Sequence, residues 1–106
     1  MSEEPVARPH PEHVVLDIGG DVGALIVHAE PDQHDLQIEI TRSGEEDGKR
    51  AHQHILERPI GGQTMYAAVF GGLVEGMYTL FTHDTVRETD VLIRGAQVTT
   101  VDWRSS

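Results

Sequence analysis

The residues best suited to chemistry in this chain are two histidines one residue apart, His52 and His54. In an extended strand, side chains two positions apart project from the same face, so both imidazoles could contact one ion. Imidazole nitrogens suit zinc and copper, and a neighbouring strand would supply the third ligand. The pattern predicts a zinc or copper site formed by His52, His54 and a third histidine, with His83 as first candidate and His28 or His34 as alternatives.

The alternative interpretation is that both histidines simply face solvent near a sheet edge, since exposed strands accept histidine freely. Other catalytic equipment is sparse. The chain contains no cysteine, which excludes thiol catalysis, disulfides and cysteine-based zinc sites. Its serines lie in the two tails or in a polar loop, without the glycines that flank a strained nucleophile.

The charge balance is strongly acidic. Lys plus Arg number 8 and Asp plus Glu number 18, for a formal net charge of −10. Such a surface repels phosphate, so neither nucleic acid nor an anionic membrane is an expected partner. An acidic surface favours basic protein partners or cations. No run approaches the roughly 18 apolar residues of a spanning helix, and residues 1–13 lack a secretory signal, so a cytoplasmic location is expected.

The length of 106 residues suits one domain. Residues 1–12 are proline-rich with few apolar side chains, which predicts a disordered tail before a domain spanning 13–106. Apolar alternation or short apolar runs between turn-forming residues predict seven or eight strands. The predicted strands cover residues 14–18, 23–28, 36–41, 51–58, 64–70, 77–82, 89–94 and 97–103.

This spacing favours an all-β fold, a single antiparallel β-sandwich of the immunoglobulin-like type. Glycines at 61–62 and 71–76 are expected to form tight turns, and Gly95 is expected to turn a final hairpin. The predicted core comprises Val14, Leu16, Ile18, Ile26, Leu36, Ile38, Ile40, Val69, Leu73, Tyr78, Leu80, Ile93, Val98 and Val101.

One segment resembles a known family. Phe70-x-x-Leu73-x-x-Gly76-x-Tyr78-x-Leu80 is similar to the hallmark of transthyretin-like or carboxypeptidase-regulatory-like sandwich domains and their Cna-B-type relatives. The resemblance implies that Leu73 plugs the sandwich end, Gly76 permits a bend and the Tyr78 hydroxyl reaches backbone. It also implies a non-catalytic binding or accessory module, which would bind an unknown protein partner or self-associate through a sheet edge or the loop at 71–76.

A second, weaker likeness concerns the ends of the chain. The stretch His13-Val-Val-Leu-Asp and the ending Trp103-Arg-Ser-Ser are similar to parts of 5-hydroxyisourate hydrolases. That resemblance implies a small hydrolase in which His13, Arg50 and either His52 or His54 activate water. The order differs from the family, whose His-x-His precedes the C-terminal tetrapeptide, whereas here it lies mid-chain.

Overall fold

The computed structural model describes residues 18–44 and 50–104. Within these ranges the regular elements are β1 (Val22–Ala29), a 3-10 turn (Pro31–Gln33), β2 (Gln37–Arg42), β3 (Ala51–His54), β4 (Leu56–Ile60), β5 (Gln63–Val74), β6 (Gly76–Thr82), β7 (Thr85–Ile93) and β8 (Val98–Asp102). The predicted tail at 1–12 and nearly all of the predicted strand at 14–18 lie outside the described residues. No helix in the described ranges is long and apolar enough to cross a membrane.

The strands form two four-stranded sheets that pack as a sandwich. Sheet 1 has the order β4-β5-β1-β8, and sheet 2 has the order β3-β2-β6-β7. The prediction of an all-β sandwich is confirmed, but one strand pair is not antiparallel, because β1 and β8 run parallel. Sheet 1 is therefore a mixed sheet.

The last two strands do not form the predicted hairpin. β7 belongs to sheet 2 and β8 to sheet 1, so the turn at residues 94–97 carries the chain from one sheet to the other. The positive φ in this turn belongs to Ala96, at 58°, and not to Gly95. Gly95 is needed for a different reason, since a Cβ there would overlap the carbonyl oxygen of Gly20.

Of the two other glycine turns that were predicted, one is confirmed and one is not. Gly61 and Gly62, with φ of 60° and 80°, form the predicted hairpin turn between β4 and β5. The glycines at 71–72 do not end a strand as expected, because β5 continues to Val74 and the chain changes sheets at Glu75. β5 and β6 consequently lie in opposite sheets.

The segment predicted as one strand at 51–58 is divided at a single residue. Ile55 is fully buried between β3 in sheet 2 and β4 in sheet 1. Its N–H donates to the Leu36 carbonyl at 2.9 Å, and its own carbonyl accepts from the Asp35 N–H at 2.7 Å. These bonds fix the crossover and hold β3 against the start of β2.

The core lies between the inner faces of the two sheets. Among the predicted core residues, those confirmed as buried are Ile38, Ile40, Tyr78, Leu80 and Ile93. Those that are partly buried and packed against the core are Leu36, Leu73 and Val101. Buried residues that the sequence interpretation missed include Leu25, Val27, Ala29, Ile55, Ala68 and Phe70.

The core prediction is wrong for four residues. Ile26 and Val69 pair with each other on the outer face of sheet 1, where they are half-buried. Ile18 and Val98 are exposed. β1 and β5 carry apolar side chains on both faces, so alternation could not decide which of the two faces points into the core. Val14 and Leu16 lie outside the described residues.

The motif around Tyr78 forms a hydrogen-bonded corner. The Tyr78 hydroxyl donates to the Val74 carbonyl at 2.6 Å, the kind of backbone contact that the resemblance implied. Arg42 donates to the same hydroxyl at 3.5 Å and to the Glu75 carbonyl at 3.4 Å. Gly76 has a φ of 150°, and a Cβ there would lie 2.6 Å from the Arg42 guanidinium. The corner fixes the passage from sheet 1 to sheet 2.

Candidate functional site

His52 and His54 lie on β3, which is an edge strand of sheet 2. They stand opposite Glu39 and Gln37 of β2, so both imidazoles project from the outer face of the sheet. Both side chains are exposed, and their ring centroids are 6.4 Å apart with nearly perpendicular planes. The strand thus places the two rings side by side, as its period predicts.

A surface groove of about 370 Å³ lies beside this histidine pair. His83 and Asp84 form the turn between β6 and β7, with φ of 52° and 61°, and this turn closes one side of the groove. The groove brings His54 and His83 into one site but not His52. Its lining residues are Asp35, Leu36, Gln37, Glu39, His54, His83 and Asp84.

The remaining histidines of the predicted site are dispersed. His28 lies on β1 in sheet 1, and His34 lies just after the 3-10 turn, where its ring contacts Tyr66 edge-on at 5.8 Å. Within residues 18–44 and 50–104, no three His, Asp or Glu side chains are arranged to hold a metal ion. The zinc or copper site at His52, His54 and His83 therefore stays a prediction.

Arg50 contacts two of the residues that line this groove, Glu39 and Asp84, and the ring of Phe81. Its Nη1 donates to Glu39 Oε1 at 2.9 Å and to Asp84 Oδ1 at 2.8 Å. Its Cζ lies 3.9 Å from the centroid of the Phe81 ring, which it shields on the outer face of sheet 2. The hydrogen bond to Glu39 is the main cause that raises the pKa of Arg50. These contacts join β2 to the turn at His83.

Of the residues implied by the hydrolase resemblance, His13 lies outside the described residues, and Arg50, His52 and His54 lie in or directly before β3. Arg50 is held by Glu39 and Asp84, whereas Arg104 binds Asp102 at the end of sheet 1, with Nε 2.9 Å from Oδ1. The side-chain hydrogen bonds from Arg104 hold the pKa of Asp102 well below its usual range. Both arginines are thus occupied by acids on different sheets.

His28 is the titratable group with the most unusual surroundings. It stands opposite Asp102 across the parallel β1–β8 pair. Its Nδ1 is buried and has no hydrogen-bond partner in the described part of the chain. Burial is the main cause that lowers the pKa of His28; the charge of Arg104 adds to this effect, and that of Asp102 opposes it. Protonation of His28 is therefore less favourable in the folded protein than in the unfolded chain.

This environment predicts a pH dependence of stability. Because folding lowers the pKa of His28, the unfolded chain binds more protons, and stability falls as pH decreases through about 6.5. We expect the melting temperature to drop between pH 7.5 and 5, and His28→Gln to reduce that drop. His34→Gln is the control. An equal drop in wild type and His28→Gln would contradict the prediction. The Asp102 contribution, from a lowered carboxyl pKa, is lost only below about pH 4.

The four sheet edges differ in how well they resist pairing with another strand. β3 has four residues, β4 contains Pro59, and β7 is irregular opposite Leu80. β8, Val98–Asp102, has neither proline nor bulge, and its valines and threonines favour strand structure. Among the described residues β8 pairs with β1 alone. It is the edge with least protection.

The hydrogen bonds of β8 show which of its backbone groups are open. The Trp103 N–H donates to the His28 carbonyl, and the Gln97 carbonyl accepts from the Ala24 N–H. Odd-numbered residues of this strand therefore face β1, and the N–H and C=O of Thr100 face away from it. Thr100 is also exposed. An added strand would bond to these groups.

In the part of the chain that the structure describes, the fold is a β-sandwich with one mixed sheet, a polar surface groove and a β8 edge that pairs only with β1. Comparison with protein-family models, curated proteins and solved structures found no match.

Proposed function

We propose that this chain is a non-catalytic binding or accessory module, and that an extended segment of a protein partner adds as a strand to β8. The observation that carries the proposal is the edge of Val98–Asp102, which in residues 18–44 and 50–104 pairs with β1 alone and has neither proline nor bulge. Strand addition gains affinity from main-chain hydrogen bonds, and alternate side chains of the added strand provide specificity. Val98, Thr100 and Asp102 are the exposed residues of β8 that would contact the side chains of the added strand.

The finer class that we propose is a transthyretin-like or carboxypeptidase-regulatory-like domain. The support for it is the motif that ends in Tyr78 and Leu80, together with the bond from the Tyr78 hydroxyl to Val74. Domains built on common folds take their function from local sites. The binding proposal therefore depends on the β8 edge and not on the resemblance.

The proposal is tested by removing one backbone donor from the open edge. Thr100→Pro deletes an N–H that faces away from β1, so the bonds to β1 are retained. Peptides selected from a random twelve-residue display library against the wild type are expected to bind Thr100→Pro at least about 10-fold more weakly, because an added strand would lose a bond and meet the ring. Fluorescence anisotropy with labelled peptides measures this.

Thr100→Val is the matched control, since it keeps both the N–H and a strand-forming side chain. Its affinity is expected to stay within about 3-fold of the wild type, because surface substitutions usually have small effects. Val98→Pro is a second test variant at the first position of β8, where proline is tolerated. Equal binding by wild type and both proline variants would contradict strand addition.

Metal binding is a second candidate function, because His54 and His83 line the same groove. Their side chains do not form a three-ligand site as they stand in the described residues, so binding would require them and a third ligand to move together. It predicts one-to-one zinc or copper binding at micromolar or tighter affinity, measured by calorimetry near pH 7.5. His54→Ala is expected to abolish the binding, and His34→Ala, outside the groove, is expected to retain it. No binding by the wild type would remove this candidate.

A further inference from the structure

Three exposed apolar side chains, here called the apolar strip, are spread along the outer face of sheet 2, two at one end of β6 and β7 and one at the other. The strip consists of Met77, Val86 and Leu92, which are 46, 49 and 37% exposed. Met77 and Leu92 are directly opposite each other, and Val86 is opposite Phe81, whose ring Arg50 covers on that outer face. Apolar side chains exposed singly are common on protein surfaces, so this face is distinguished by the acidic groove that adjoins Val86.

The groove beside His54 and His83 is next to one end of this strip, because Asp84 lies two residues before Val86. Three carboxylates line it, those of Asp35, Glu39 and Asp84. One guanidinium, that of Arg50, contacts two of them. Carboxylates therefore outnumber guanidinium groups there by two, and the whole chain carries −10. Charge complementarity therefore favours a positively charged side chain in this groove.

We propose that the outer face of sheet 2 binds an extended segment of a protein partner that carries lysine or arginine followed by apolar side chains. The basic side chain enters the groove, and the apolar side chains cover the strip. From His83 to Met77 the β6 strand spans about 20 Å, at roughly 3.3 Å per residue. A segment of six or seven residues would therefore contact both parts.

This inference rests on the proposed function in one respect only, that the chain binds protein, because it uses a different surface from the β8 edge. Two substitutions test the groove and the apolar strip separately. Asp35→Asn removes a groove charge without touching Arg50, and asparagine tolerates the φ of 72° found at that position. Leu92→Ser removes apolar area from the strip.

The probes are peptides enriched from a random twelve-residue display library on the wild-type protein, with affinities measured by fluorescence anisotropy. A group rich in lysine or arginine next to apolar residues is expected. Asp35→Asn and Leu92→Ser are each expected to weaken this group by about 5-fold, because each removes one of its two contacts. Raising NaCl from about 50 to 500 mM should weaken it further, since salt screens the groove charges.

The matched controls are Asp32→Asn, an acid outside the groove, and Leu56→Ser, a leucine on sheet 1 that is 38% exposed. Each is expected to change affinity by less than about 2-fold, as is usual for surface positions outside a contact. Met77→Ser replaces Leu92→Ser if the latter lowers the melting temperature substantially.

If all enriched peptides are weakened by Thr100→Pro and none by Asp35→Asn or Leu92→Ser, this inference is overturned and strand addition is supported. If all show the opposite behaviour, the inference is supported and strand addition is contradicted. Two groups of peptides, each weakened by one set of variants, would support both proposals. Enrichment without an excess of basic over acidic residues would also overturn this inference. The two proposals can thus fail independently.

Discussion

Gly23→Ala is expected to destabilise the sandwich by about 3 kcal/mol or more, because overlap with backbone leaves no room for adjustment. A Cβ at Gly23 would overlap the Arg94 carbonyl oxygen and lie 2.9 Å from that of Gln97. The turn containing these oxygens starts β8, and it is held to β1 by the bond from Ala24 N–H to Gln97. The substitution would push the start of β8 away from β1.

Urea denaturation monitored by Trp103 fluorescence measures this effect. Gly44→Ala is the matched control, since Gly44 has a φ of 90° but no atom of the described residues lies within 4 Å of the position that its Cβ would take. Its expected cost is about 1 kcal/mol, from the positive φ alone. Because Gly23 has no positive φ, a loss no larger than that of Gly44→Ala would contradict the close approach to the Arg94 carbonyl as the reason for glycine at this position.

Ile55→Ala is expected to lower the free energy of unfolding by about 3 kcal/mol, the usual loss for a fully buried isoleucine. The melting temperature should fall by roughly 15 °C, because about 1 kcal/mol corresponds to 4–8 °C in a domain of this size. The substitution leaves a cavity at the crossover that holds β3 to β2. It should therefore also loosen the strand that carries His52 and His54.

The adjacent residue provides the control. Leu56 is 38% exposed on the other side of the crossover, so Leu56→Ala should cost less than about 1 kcal/mol. Thermal unfolding followed by circular dichroism compares the two variants directly. Equal losses at the two positions would contradict the assignment of Ile55 as the buried residue between the sheets.

The strand content was predictable because alternation is clear in β2, where Ile38 and Ile40 point inward as expected. The prediction of which side chains point inward failed where a strand is apolar on both faces. In β1 the predicted core residue was Ile26, whereas Leu25 and Val27 are the buried ones. Only contacts with the opposite sheet select between such sets, and local spacing does not contain them.

Strand pairing was less predictable than strand position. The turn at Gly95 has the composition of a hairpin turn, but the chain there crosses between sheets and β8 pairs with β1, the first strand of the described chain. Such a pairing depends on the close approach at Gly23, which requires the absence of a side chain and leaves no periodic signal.

For the candidate site, the sequence predicted a common face for His52 and His54, which follows from strand period alone. It also named His83, which lines one groove with His54. The role of Arg50 was not predictable, because its partners Glu39 and Asp84 come from other elements of sheet 2. The open edge at β8 depended likewise on strand order.

The most direct test of strand addition is amide hydrogen exchange at β8, with and without a peptide selected from the display library. In the free protein, the Thr100 and Asp102 amides, which face away from β1, should exchange quickly, while those of Thr99 and Val101 exchange slowly. Bound peptide is predicted to slow Thr100 and Asp102. Unchanged exchange there, with new protection at residues 71–76 or along another edge, would contradict the account.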